Sequence, residues 1–189
     1  MYRAKMNHSA ATITKLVQTQ YDTFQLKNKV VQVLISFGLI LFGLFAPKDL
    51  ITPWIALFVG CVMIANLNVV PKSQARRIVN QMAGQFPESD YTFEDSFFQF
   101  YDNGEHIPYK KLIRLVDDGA YCYLYISQIS AYMIDKKTIT GGTIDQFKTF
   151  ISNSADLPWT RPASLLTFRI KDLFPEKERK YEGPRLDQH

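Results

Sequence analysis

Two uncharged apolar runs, residues 30–46 and 53–70, stand almost back to back and limit what this chain can be. A helix rises about 1.5 Å per residue and a hydrocarbon core is about 30 Å thick, so runs of this length sit at the short end of what can span. Lipid offers no partner to a peptide group, so a spanning run must close its hydrogen bonds on itself as a helix. A soluble core helix would keep a polar stripe. The runs VVQVLISFGLILFGLFA and PWIALFVGCVMIANLNVV are apolar around most of the circumference. The expected architecture is a two-helix transmembrane hairpin. A cleaved signal peptide fits poorly: the charged lead over residues 1–29 is too long, and a second apolar run follows at once.

The hairpin carries its own punctuation. Pro47 ends the first helix, Asp49 or Thr52 is expected to cap the second, and Pro53 fits its first turn. Trp54 is then expected near the bilayer surface. Gly38, Gly43 and Gly60, with Ala56 or Ala65, would allow the helices to approach closely, although glycine is common in such helices. Gln32, Asn66 and Asn68 fall near helix ends on one membrane side, where they either form a polar relay or sit hydrated at headgroup level. No ionisable residue lies at mid-depth, where a transport site needs one. Arg3, Lys5, Lys15, Lys27 and Lys29 precede the hairpin, and Lys72, Arg76 and Arg77 follow it. The short connection holds Lys48 beside Asp49. This asymmetry places both termini in the cytoplasm and the protein in the inner membrane as a multi-pass chain.

Before the hairpin, Ile13, Leu16, Val17, Tyr21, Phe24 and Lys27 recur at helical spacing. Such a helix either lies on the lipid or packs on the domain that follows. From Tyr91 the period shortens. Phe98 and Phe100 alternate with Phe97, Gln99 and Tyr101, and Asp102-Asn103-Gly104 and Asp118-Gly119 read as turns. Residues 106–109, 112–117, 121–126 and 131–134 read as strands. Tyr121, Tyr123 and Tyr125 share one face, and Cys122, Leu124 and Ile126 the other. After Gly141-Gly142, Thr143-Ile144-Asp145-Gln146 forms a capping box, and Ile144, Phe147, Phe150 and Ile151 form a helical stripe. The fold class expected is membrane α+β: a hairpin, then a small antiparallel β meander or barrel capped by a helix.

Two apolar runs, a linker, then YTFED…FFQF, IPYKKLIRL, YCYLYI, AYMIDKKTI and IDQFKTFI make this sequence resemble the YcxB-like membrane proteins of bacteria. The resemblance spans roughly residues 30–153 and implies a pleckstrin-homology-like fold for the C-terminal domain. It implies no catalytic residues. The expected organisation is a cytoplasmic helical segment at 1–29, a hairpin at 30–70, a linker at 71–90, a YcxB-like cytoplasmic domain at 91–153 and a tail at 154–189. In that tail, residues 165–170 read as a strand or short helix, and alternating charges follow from Lys171.

Little in the chain suggests chemistry. Of His8, His106 and His189, only His106 stands away from the ends, and Glu105-His106 beside Asp102 offers too few ligands for a metal. Cys61 and Cys122 fit no metal spacing and no bridge. A glycine-flanked nucleophile and a phosphate loop are missing. The expectation is no enzyme, no catalytic residue and no cofactor. A net charge of +4 does not demand nucleic acid, and the aromatics follow strand periodicity rather than a stacking platform. The basic residues Lys110, Lys111, Arg114, Lys136 and Lys137 are the candidate contacts to anionic lipid.

Three functions follow from this. The first is a membrane-anchored module whose tethered domain binds a protein or peptide partner. The second is an anionic-lipid sensor. The third is an accessory subunit of a transporter or pore. The bilayer is a partner in each, nucleic acid in none, and homo-oligomerisation is left open.

Overall fold

A computed structural model describes residues 1–47, 51–100 and 104–162. The chain divides into two compact units, one built from Met1–Thr12 and Gln85–Pro162, the other from Ile13–Gly84.

The helical unit holds most of α1 (Ala10–Phe24), then α2 (Leu26–Phe45), α3 (Thr52–Ala65) and α4 (Val69–Gln81). Ser9 starts α1 through a reciprocal pair of bonds: its Oγ accepts the Thr12 N–H at 3.3 Å, and Thr12 Oγ1 accepts the Ser9 N–H at 2.7 Å. Ile13 and Val17, one turn apart, are buried, as helical spacing requires. Gln25 leaves helical geometry and separates α1 from α2. The first apolar helix therefore begins at Leu26, four residues before the run itself, because Lys27, Asn28 and Lys29 accept helical geometry as readily as the valines that follow.

α2 and α3 pack as an antiparallel hairpin with two glycines at the crossing. A Cβ on Gly43 would lie 2.6 Å from the Pro53 carbonyl, and one on Gly60 would lie 2.8 Å from the Ser36 carbonyl. Gly38 faces open space. Two of the three glycines thus set the approach of the helices, and the third does not. The outer surface is apolar: Leu34, Phe37, Phe45, Ile55 and Phe58 are each more than half exposed. α2 is long and apolar enough to cross a membrane.

The second apolar run is not one straight helix. α3 stops at Ala65, and α4 restarts at Val69 with a 43° bend. Asn66 bonds back to the Val62 carbonyl at 2.7 Å through its own side chain, competing with the backbone ladder where the helix breaks. Thr52 is the first residue of α3 rather than its cap. The cap is Ile51, which makes no side-chain bond, and Asp49 lies outside the described residues.

The β unit contains β1 (Tyr2–Asn7), β2 (Glu88–Phe93), β3 (Phe97–Phe100), β4 (His106–Pro108), β5 (Arg114–Asp117), β6 (Tyr121–Tyr125), β7 (Ala131–Asp135), α5 (Ile144–Ala155) and β8 (Trp159–Thr160). Two four-stranded sheets run β1-β2-β3-β4 and β7-β6-β5-β8. All pairs are antiparallel except β5 with β8. The sheets meet where Arg3 and Thr140 exchange backbone bonds of 3.1 and 2.8 Å, and where Thr138 Oγ1 accepts the Lys5 N–H at 2.9 Å. Phe93, Phe98, Leu115, Tyr123, Leu124, Ile134, Phe147 and Ile151 are fully buried in the core. Both faces of β6 are covered past its first residue: Tyr123 and Tyr125 on one side and Cys122 and Leu124 on the other are all buried, and Tyr121 is half-buried.

Several sequence expectations change here. Tyr2–Asn7, read as part of a helical segment, is a strand in register with β2 from Tyr2 opposite Phe93 to Asn7 opposite Glu88. Its alternation of buried Ala4 and Met6 with exposed lysine and arginine is short and weakly apolar, so periodicity alone does not mark it. Most of the segment read as a linker is α4, and β2 starts at Glu88. The segment read as tail contributes β8, a parallel neighbour that makes the domain more than a meander. Ile144 lies outside the helical stripe, at 41% exposure, and Ala155 continues the buried line from Phe147 and Ile151. The capping box on Thr143 and Gln146 is present as expected. Residues 101–103 of one turn and residues 165–170 of the tail lie outside the described residues.

Candidate functional site

At the foot of the hairpin, the Lys29 side chain is only 6% exposed and pairs with Asp22 of α1. Its Nζ also donates to Asn68 Oδ1 at 3.3 Å, in the break between α3 and α4, and lies 4.9 Å from the Tyr21 ring centroid. One ammonium thereby joins three segments. Gln32 donates to the Met63 carbonyl at 3.2 Å and Ser36 to the Gln32 carbonyl at 2.7 Å. Gln32, Asn66 and Asn68 each serve a separate partner and do not form a relay.

In the β unit the densest polar cluster centres on Asp117, the last residue of β5. Lys136 pairs with its Oδ1, and Lys148 of α5 pairs with its Oδ2 at 2.6 Å. The Gly119 N–H donates to Oδ1 at 2.8 Å. Gly119 sits at φ +99, a conformation that a side chain disfavours, and this lets the turn fold back on the carboxylate. Burial alone would raise the Asp117 pKa; the bonds from Lys136, Lys148 and Gly119 outweigh it and hold the carboxyl at about 2. Beside it Asp118 accepts from the Ala120 and Tyr121 N–H groups and from the Tyr123 hydroxyl at 2.6 Å. Cys122 on the adjacent strand is buried, and burial pushes its thiol up to about 12, so it is a poor nucleophile near neutrality. A carboxylate held by two ammonium groups has no proton to exchange at pH 7. The cluster fastens α5 to the second sheet.

The five basic residues expected to meet lipid are not one patch. β5 and β7 both run antiparallel to β6, so the turn before β5 and the turn after β7 leave the sheet at opposite ends. Lys110 and Lys111, exposed on the 3-10 turn Tyr109–Lys111, and half-buried Arg114 lie at one end, and Lys136 and Lys137 at the other. Strand β5 alone sets the ends about 10 Å apart. Lys136 is committed to Asp117 and to the Gly119 carbonyl at 3.1 Å, which leaves Lys137 as the exposed cation there. Sequence spacing could not reveal this, because strand direction decides it.

A shallow groove of about 550 Å³ runs between α5 and β1, lined by Tyr2, Asp145, Gln146, Thr149, Phe150 and Asn153. Tyr2 and Phe150 form its aromatic floor, with ring centroids 5.3 Å apart. The groove escaped the sequence reading because half its floor comes from a strand that reading did not contain. Among the described residues no group of three or more His, Cys, Asp or Glu side chains is placed to hold a metal. His106 packs edge-on against Phe97, 4.6 Å between centroids.

Two small sheets closed by one amphipathic helix, on a chain that also carries a helix long and apolar enough to cross a membrane, define the class: a small β module joined to a candidate membrane helix. Residues 93–151, from the end of β2 into α5, match the family model described as YcxB-like protein, so this part of the chain is YcxB-like. No curated protein and no solved structure matches the chain.

Proposed function

We propose that this chain is a membrane-anchored interaction module. α2, α3 and the first turn of α4 form a hairpin through the inner membrane, and both flanks remain on the cytoplasmic side. The β unit, with a pleckstrin-homology-like arrangement of two sheets and a closing helix, binds a protein or peptide partner at the membrane surface.

The observation that carries this reading is the outer surface of the hairpin. Phe45, Phe58, Leu34 and Ile55 are 83%, 69%, 65% and 54% exposed, on several sides of helices that contact each other through glycines. Leaving such side chains in water forfeits about 1.5–3 kcal/mol each, and a hydrocarbon surround removes that cost. α2 covers about 30 Å and α3 about 21 Å, so the second crossing uses the break and exposed Val69 and Val70 to reach the far surface. The groove beside α5 supports a peptide partner: an aromatic floor offers an apolar anchor, and the polar rim fixes orientation. Tethering raises the local concentration of the module around other membrane proteins.

Cys61 and Cys122 provide the test. In a Cys122→Ser chain, a charged maleimide should leave Cys61 of α3 unlabelled in intact membranes and label it after denaturation, and the protein should stay in the pellet after alkaline carbonate. Release by carbonate, or labelling of Cys61 in intact membranes, would reject the membrane reading. For the module, a photo-crosslinker at exposed Thr149 should give one discrete adduct in cells. The same labelling pattern at Thr149 and at a site remote from the groove, such as Ile129, would reject the groove as the contact.

A further inference from the structure

We propose that Lys72, Arg76 and Arg77 of α4 form a binding face for the headgroups of anionic phospholipids in the bilayer that holds the hairpin. The inference rests on the membrane reading above and adds the lipid class and the residues that read it.

Position is the first argument. α4 follows α3 after three residues and bends from it by 43°. At that angle each α4 residue advances about 1.1 Å along the α3 axis, so Lys72, Arg76 and Arg77 all stay within about one Debye length of the level that Val70 reaches.

The second argument is the face that α4 presents. Pro71 and Ala75 are buried, while Val69, Val70, Lys72, Ser73, Arg76 and Arg77 are exposed. Lys72 and Arg76 stand one turn apart on one side of the helix, and Arg77 lies about 100° further round the same exposed surface. Exposed valines at the start of the helix suit the acyl boundary, and long basic side chains reach from there to the phosphates.

Charge is the third. The cations that the fold uses are paired: Lys5 with Asp90, Lys29 with Asp22, Lys136 and Lys148 with Asp117. Lys72, Arg76 and Arg77 stand in a stretch, residues 50–87, that contains no aspartate or glutamate, and among the described residues they form no ion pair. Like charges one helical turn apart repel, and an anion between them removes the penalty. A phosphodiester does so and accepts a bidentate guanidinium bond. Lys110 and Lys111 lie in the β unit and have no such constraint to a membrane-embedded segment.

The test is lipid selectivity by electron spin resonance on the full chain reconstituted in phosphatidylcholine bilayers. Spin-labelled phosphatidylglycerol should be immobilised in preference to spin-labelled phosphatidylcholine, by up to about fivefold per cation at low ionic strength. The preference should collapse in about 1 M salt and in the Lys72→Gln, Arg76→Gln, Arg77→Gln chain, and persist in the Lys72→Arg, Arg76→Lys, Arg77→Lys chain. Equal immobilisation of the two labels by the wild-type protein overturns the proposal, as does a preference that survives the triple glutamine variant. Displacement by inorganic phosphate at matched ionic strength would point to a soluble anion and overturn the lipid assignment. If the membrane reading is itself wrong, neither label is immobilised, and that result separates the two failures.

Discussion

Lys148 of α5 and Asp117 of β5 meet at 2.6 Å, Nζ to Oδ2, and this contact ties the closing helix to the second sheet. The same ammonium lies 5.5 Å from the Trp159 ring centroid, and the Trp159 Nε1–H donates to the Lys148 carbonyl at 2.8 Å. One residue of α5 therefore holds β5 and β8 together.

Acid should loosen that junction. The Asp117 pKa falls from its ordinary 3.8 to about 2 on folding. A depressed carboxyl adds stability above its unfolded pKa, and the gain is lost as pH falls from about 4 to about 2. After a discount for solvent, Asp117→Asn should cost about 1–2 kcal/mol at pH 7 and abolish the acid-dependent step. Urea unfolding followed by Trp159 fluorescence in a Trp54→Phe chain measures both; an unchanged acid limb would count against the assignment.

The glycines of the hairpin should separate cleanly. Ala at Gly43 or Gly60 would press a methyl to within 3 Å of backbone carbonyls, and should destabilise the α2–α3 pair by about 1–3 kcal/mol. Gly38→Ala meets nothing within 4 Å and should be neutral or stabilising, by up to about 1 kcal/mol. Denaturation in mixed micelles should rank the three in that order.

Lys29 and Asp22 should behave as a unit. Lys29→Met leaves a largely buried carboxylate alone and should cost about 3–5 kcal/mol, whereas Lys29→Met with Asp22→Leu should recover much of that. A double-mutant cycle reads the difference; additive effects would show that the pair is not coupled.

Strand β1 should be essential to the β unit. Met6 is 2% exposed, and Met6→Ala should cost about 2–5 kcal/mol. Its neighbour Lys5, whose pair with Asp90 is solvent-exposed, should tolerate Ala within about 1 kcal/mol. Protease resistance of the stretch from Gln85 to Pro162 reports on both.

What could be read from the residues depended on how local the signal was. The helix over the first apolar run, the tyrosine strand β6 and the Thr143–Gln146 cap are set by neighbours in sequence, and they appear as expected. β1 is set by a partner 81 to 91 residues away, and its six residues carry only two buried apolar side chains, so no local pattern could claim it. The break at Asn66–Asn68 was hidden because apolar residues continue through it, while a side-chain amide decides the geometry. The Asp117 cluster draws on a strand end, a 3-10 turn and a helix. Each lysine looks like ordinary surface until the chain has folded.

The pairing of β1 with β2 also sets an order of events during synthesis. Tyr2–Asn7 leaves the ribosome before the Ile13–Gly84 unit and must wait while its helices are made before Glu88–Phe93 emerges to meet it. His8 and Pro87, bonded backbone to backbone at 3.2 Å, then close the circuit. Pairing of β1 with β2 thus cannot be completed before the Ile13–Gly84 segment between them has been made.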